Sequence, residues 1–285
     1  MYTYKAYEHL SITKRGNVAK LMLNRPKVRN AISDVTLEEL DSAFSELERD
    51  DEVKVVIFGG EGKAFCSGVD LFAHASEIKD HVPAEWLVHF NRFYRVGMRM
   101  FHLKKILICA IHGAAFGFGL DLALAGDFAI MADDTRLGYT ENDRYAADMM
   151  MLLPYLTNMR NAKRLMFMYE ELTAQDALEM NLVNKIVPAD KVMEEAEAWA
   201  GRLAVVPAIT LEQNKRSLNH AYDLAGLSQA FEYNIQAGAL IEQSADKAAR
   251  EERNAFILQY GVSAWLKQHD AEMAKKSEEQ KSKEI

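Results

Sequence analysis

The pattern of apolar and polar positions divides the chain into an alternating front half and a nearly all-helical back half. "HLSITKRGNVAKLMLNR" reads as two short strands around a turn at Arg15-Gly16, a hairpin that ends before Pro26. A helical period follows at Leu37, Leu40, Phe44 and Leu47, with Ser33 placed to cap it, and "VKVVIFGG" then gives an apolar run of the buried parallel-strand kind. After the loop "GEGKAFCSGVDL" a long helix is expected through Trp86, Phe90 and Phe93, followed by strands at "ILICAIHG" and "FAIMA". The alternation indicates an α/β core. From about Arg144 onward the pattern is helical, broken by "NLVNKIV", by Pro188-Ala189-Asp190 as a helix start and by Pro207. The last stretch, "AEMAKKSEEQKSKEI", is polar and charged and is expected to be frayed or disordered.

One run breaks local rules. "GAAFGFGLDLALAGD", residues 113–127, starts on Gly113, Gly117 and Gly119, each unfavourable in a helix, and carries Asp121 where it is most apolar. Such inconsistencies are where a site is sought first. A strand ending at Gly113 and turning through Gly117 and Gly119 into a helix would present its first N–H groups, unpaired within the helix, to whatever lies in front. A second glycine loop, "CSGVDL", could aim the N–H of Val69, after Gly68, at the same point. Two converging N–H groups make an oxyanion hole. Either loop alone is more simply a tight turn with close packing.

Composition narrows the classes. The chain of 285 residues, 49% hydrophobic and 27% charged, suffices for one large domain or one domain with a helical appendage. Its net charge of −8 gives no general electrostatic reason to bind nucleic acid or an anionic membrane. Two cysteines, Cys66 and Cys109, suit neither a disulfide framework nor a zinc site, and a reducing cytosol fits best. The start "MYTYKAYEHLSITKRG" lacks a signal-peptide pattern, and no apolar run is long enough to span a membrane, so a cytoplasmic location is expected. Neither a metal nor a separate cofactor is expected.

Five blocks, "RPKVRNAIS", "GKAFCSGVDL", "AIHGAAFGFGLDLALAGDFAIMA", "RLGYTE" and "LTAQDALEMNLVNKIVP", resemble in order and near-family spacing the enoyl-CoA hydratase/isomerase (crotonase) family, over about residues 8–260. The resemblance implies an α/β fold with a crotonase-like β/α spiral core (1–200), a C-terminal helical trimerisation region (201–262) and a polar tail (263–285). It also implies an acyl-CoA thioester as substrate, with coenzyme A part of that substrate, and a homotrimer or dimer of trimers. The apolar stripe Leu227, Phe231, Ile235 and Leu240 is read as part of that assembly surface.

Carried over by position, the oxyanion N–H groups are those of Val69 and Phe118, and Asp121 and Glu141 stand where family hydratases hold paired glutamates. Substrate contacts are implied at Ala64, Gly68, Asp70, Leu71 and Gly117, while Lys27 and Arg29 are candidates for the CoA nucleotide or else solvated charges. Hydration of a double bond conjugated to a thioester needs one carboxylate to activate water, one acid to protonate the α-carbon and a hole for the enolate oxygen. The alternative for Asp121 is a first-turn aspartate satisfying local N–H groups. Several positions depart from the hydratase pattern. Asp121 is one methylene short, Phe118 replaces a glycine, "NDRYAADMMMLLP" is shorter than the family's glycine-rich loop, and the terminal "NAFILQY" lacks a frequent CoA-binding lysine. An Asp at the first position also occurs in family dienoyl-CoA isomerases, and Asp148 lies near their further aspartate. Double-bond isomerisation is therefore the second enzymatic reading and hydrolytic C–C cleavage or decarboxylation the third, with a catalytically degenerate CoA-ester-binding or assembly subunit as the alternative of another class. Met149, Met150 and Met151 would line an acyl pocket or fill the core. His112 is expected in a structural hydrogen bond, and Ser67 with His112 makes a weaker case for a hydrolase.

Overall fold

The computed structural model describes residues 2–77, 82–139, 150–244 and 247–283. The predicted hairpin forms as β1 (Leu10–Arg15) and β2 (Val18–Leu23), paired antiparallel. Helix α1 (Asp34–Arg49) begins at Ser33, the cap the sequence suggested: its side chain accepts from the Thr36 N–H, and the Thr36 hydroxyl accepts from the Ser33 N–H in return. Then come β3 (Val55–Gly60), α2 (Leu71–Glu77), α3 (Pro83–Phe101), β4 (Ile106–Ile111), β5 (Ala114–Phe116), α4 (Phe118–Leu124), β6 (Phe128–Ala132) and β7 (Arg136–Gly138). The back half holds α5 (Leu153–Leu156), α6 (Met159–Met168), β8 (Leu172–Thr173), α7 (Ala174–Glu179), β9 (Lys185–Val187), α8 (Val192–Ala204), α9 (Ala208–Leu224), α10 (Leu227–Ser244), α11 (Lys247–Tyr260) and α12 (Val262–Lys283).

Six strands form one sheet in the order β1-β2-β3-β4-β6-β9, parallel from β2 onward. All positions of β3 and β4 are buried, because both faces of the sheet are covered. Val55, Ile57, Ile106 and Ile108 pack under Val192, Ala196 and Ala200 of α8. Val56, Phe58, Leu107 and Cys109 point the other way, into the main core with Leu40 and Phe44 of α1 and Phe93 and Val96 of α3. A second, small sheet, β5-β7-β8, is absent from the sequence expectation. Its strands have only two or three residues, too few to register a period of two. It stands beside the glycine turns and positions the candidate site.

The C-terminal region corrects two expectations. Leu227, Phe231 and Ile235 are buried within the subunit, the last against Trp86 and Phe90 of α3, and the Tyr94 and Phe231 rings lie 5.8 Å apart. An apolar stripe reports that a face is covered, not by which chain, and of the four residues only Leu240 is exposed. The terminal stretch expected to fray continues α12 as far as Lys283, the last described residue. Its anchor is the half-buried pair Trp265 and His269, beside a cavity of about 240 Å³ that Glu242, Arg250, Arg253 and Phe256 also line. Burial pushes the Glu242 carboxyl up, against the pull of Arg253 and Arg250. Among the described residues, no helix is long and apolar enough to cross a membrane.

Candidate active site

The first glycine loop is held on three sides. The Asn30 amide donates to the carbonyls of Glu61 and Ala64, which gathers the chain before the loop. Cys66 donates its N–H to Ala114 and accepts from the Phe116 N–H, so the loop pairs with β5. On the opposite edge the Ser67 N–H reaches the Arg29 carbonyl, the Ile32 N–H reaches Gly68, and the Asp70 N–H returns to Ile32. Val69, flanked by those last two bonds in a parallel bridge, turns its own N–H away from Ile32, toward the side where β5 runs. Gly68, at φ +94°, makes the turn that allows this.

The second loop meets the first through backbone. Gly117, at φ +49°, donates to the Gly138 carbonyl at 2.9 Å and receives the N–H groups of Leu120 and Asp121, which starts α4. Phe118 and Gly119 are the first residues of that helix, where an N–H has no intrahelical acceptor. A side chain at Gly119 would strike the backbone of Cys66, so the first turn of α4 lies directly on the loop that carries Val69. The departure at Phe118 resolves into packing. Its ring is 1% exposed and stands edge-on to Phe93 at 4.8 Å, in the core, while its backbone stays at the helix start.

Asp121 lies one turn further and is wholly buried. Its carboxylate accepts a bond from the hydroxyl of Tyr139, 2.6 Å from Oδ1. The small sheet brings the pair together: Phe116 pairs with Gly138, Gly117 bonds to Gly138, and Tyr139 follows at the depth of α4. Tyr139 is absent from the sequence-derived site, because it stands 18 positions from Asp121 and no motif links them. The only signal is an aromatic hydroxyl within the "RLGYTE" block. Glu141 and Asp148 lie outside the described residues, as does Met149.

The remaining candidates divide between rim and scaffold. Lys27 and Arg29 are exposed on the short turn whose carbonyls hold Ser67, at the edge of the first loop. Ala64 is buried, Leu71 half-buried, and Gly68 and Gly117 form the turns. The Asp70 side chain pairs with Arg25 at 2.8 Å and accepts the Ala73 N–H, which caps α2. Its carboxylate thus has a structural task. His112 bonds to the Gly62 carbonyl at 3.0 Å, and the Ser67 hydroxyl donates to Val28, so the two form no nucleophile–base pair. Met150, Leu152 and Leu153 are core residues, Met150 filling the notch left by Gly97 of α3. Among the described residues no three His, Cys, Asp or Glu side chains gather into a metal site.

These features define a class: a layered α/β protein whose second sheet sets a buried carboxylate one helical turn behind two glycine turns packed backbone to backbone. Comparison with known proteins narrows it. The model of the enoyl-CoA hydratase/isomerase family matches residues 13–259. A short-chain-enoyl-CoA hydratase of Clostridium acetobutylicum is 32% identical over 218 residues, 73% of this chain and 80% of that protein. The crystal structure of an enoyl-CoA hydratase/isomerase from Xanthobacter autotrophicus Py2 matches with a TM-score of 0.89 at 29% identity, over 94% of this chain and 99% of that one. An enoyl-CoA hydratase from Bacillus anthracis matches with a TM-score of 0.71 at 28% identity, over 85% and 93%. The chain belongs to the enoyl-CoA hydratase/isomerase family, with the α/β core and C-terminal helical region of the crotonase fold. Its general chemistry is that of acyl-CoA hydratases and isomerases.

Proposed function

We propose that this protein adds water to a 2-enoyl-CoA, or removes it from the hydrated ester, through a thioester enolate. The N–H groups of Val69 and Phe118 hold the thioester oxygen, and Asp121 and Glu141 divide the proton work. Water attacks the β-carbon as one carboxylate takes its proton, the electron pair moves onto the thioester oxygen, and the other carboxyl returns a proton to the α-carbon. Lys27 and Arg29 meet the CoA nucleotide, and the acyl thioester passes Ala64, Gly68, Leu71 and Gly117. Asp70 contributes by bracing α2. The observation that carries the reading is the backbone contact of the two glycine turns with Asp121 buried one turn behind them. The protein assembles as a homotrimer or a dimer of trimers, which light scattering at micromolar concentration tests, a monomer being the adverse result.

Double-bond isomerisation is the second reading, favoured by aspartate in place of glutamate at position 121. The deciding experiment incubates the protein with straight-chain, branched and cyclic enoyl-CoA and dienoyl-CoA esters and identifies products by mass spectrometry and NMR. Gain of one water supports hydration. A moved double bond at unchanged mass supports isomerisation. Glu141→Gln abolishes turnover and leaves ester binding intact, whereas activity within a few-fold of wild type removes Glu141 from the mechanism. Binding of esters with no product from any of them is the result of a degenerate subunit.

A further inference from the structure

We propose that Tyr139 is a positioning residue for Asp121: its phenol fixes one oxygen of the carboxylate and favours the ionised form. This rests on the reading of Asp121 as a site carboxylate. Both side chains are at most 1% exposed and their oxygens are 2.6 Å apart, a short bond of the kind a hydroxyl makes to a charged acceptor. A donor hydrogen bond to the charged state lowers a carboxyl pKa, whereas burial alone raises it. The phenol therefore opposes the penalty that the apolar run imposes on Asp121. It also fixes orientation, since anchoring Oδ1 sets the plane in which Oδ2 lies.

The backbone makes the arrangement rigid. Tyr139 directly follows Gly138, whose carbonyl accepts from Gly117, and Gly117 accepts the N–H of Asp121 itself. The donor and the carboxylate are thus both referred to the turn that starts α4. Tyr139 also stands two residues before Glu141, so one segment carries the partner of the first carboxylate and then the second carboxylate. Among the described residues, three titratable groups stand toward α4 on the elements packed around it. Cys109 of β4 is held as a thiol by burial, Cys66 lies under Gly119, and His89 of α3 connects through the rings of Phe93 and Phe118.

The test reads Asp121 directly and then through catalysis. Protein labelled with carbon-13 at aspartate carboxyls is titrated by NMR, the Asp121 resonance being assigned by its loss in Asp121→Asn. In Tyr139→Phe the titration midpoint should rise by about one pH unit, and 3-fluorotyrosine at position 139, a stronger donor of nearly the same shape, should lower it. With crotonyl-CoA, or a better ester from the panel, Tyr139→Phe should lose roughly tenfold in kcat at nearly constant KM, and the acid limb of its pH profile should move the same way as the midpoint. An unmoved midpoint in both variants overturns the proposal and leaves the reading of Asp121 standing. A moved midpoint with a fully active Asp121→Asn enzyme overturns both. Thermal melts identify a misfolded Tyr139→Phe, in which case the fluorotyrosine protein alone decides by the direction of its shift.

Discussion

Asp121 and Asp127 sit in the same apolar run, six residues apart, and the fold treats them differently. Asp127 closes the far end: its carboxylate accepts from the Leu107 N–H and from the Lys215 ammonium, each at 2.7 Å, and Lys215 also donates to the Lys105 carbonyl. The pair ties α9 to the start of β4. Enclosure raises the Asp127 carboxyl above its ordinary value, and Lys215 and the Leu107 N–H pull it back. Asp121 lies at the glycine end and accepts a bond from a phenol brought by the small sheet. A carboxylate in a greasy run has two readings, a staple or a site; Asp127 is a staple, and Asp121 is the one we propose as a site.

The comparison predicts a double dissociation. Asp121→Asn should lower the rate by on the order of a hundredfold or more on the best ester, with little change in melting temperature. Asp127→Asn should leave kcat within a few-fold and lower the melting temperature instead. Similar behaviour of the two variants in both assays would erase the distinction. Asp121→Glu, which restores the family's longer side chain, should impair the native reaction if the short reach is matched to this site.

A smaller effect is expected at Lys215→Met, which strands the Asp127 carboxylate: about 3 kcal/mol by denaturant unfolding, the lower end for a broken enclosed pair. The deficit should depend on pH. Without the ammonium the folded-state pKa of Asp127 rises further above its unfolded value, so folding favours the protonated carboxyl. The deficit is then full at neutral pH and fades as acid protonates the group; a constant deficit from neutral to mildly acidic pH would speak against the ion pair. The smallest change expected is none. Cys109 lies along α4 between the two carboxylates, its Sγ against the Leu122 carbonyl, and burial pushes its thiol pKa far up. The native protein should leave that thiol unreacted with a disulfide reagent until it unfolds.

The hairpin, the Ser33 cap, the buried β3 and the long α3 were legible in the sequence because each is written in a local period or a local cap. Both glycine turns were legible as violations of local preference. The partner of Asp121 was not, since Tyr139 reaches it through β5 and β7, strands of three residues that carry no period of their own. The stripe on α10 was legible as buried but not as buried against α3 of its own chain. The tail was read by its charge, whereas α12 starts at Val262, with Trp265 and His269 beside a cavity, and runs on through the charged residues to Lys283.

Met150 in the notch at Gly97 has a further consequence. Tyr139 on one side and Met150 on the other are both sunk in the core, so the chain between them begins and ends at fixed stations. Both stations rest on glycines: Tyr139 follows Gly138, which lies against the Glu170 carbonyl, and Met150 fills the space beside Gly97. A Gly97→Ala substitution would therefore push on the second station from outside the site, since a methyl there meets the Met150 thioether.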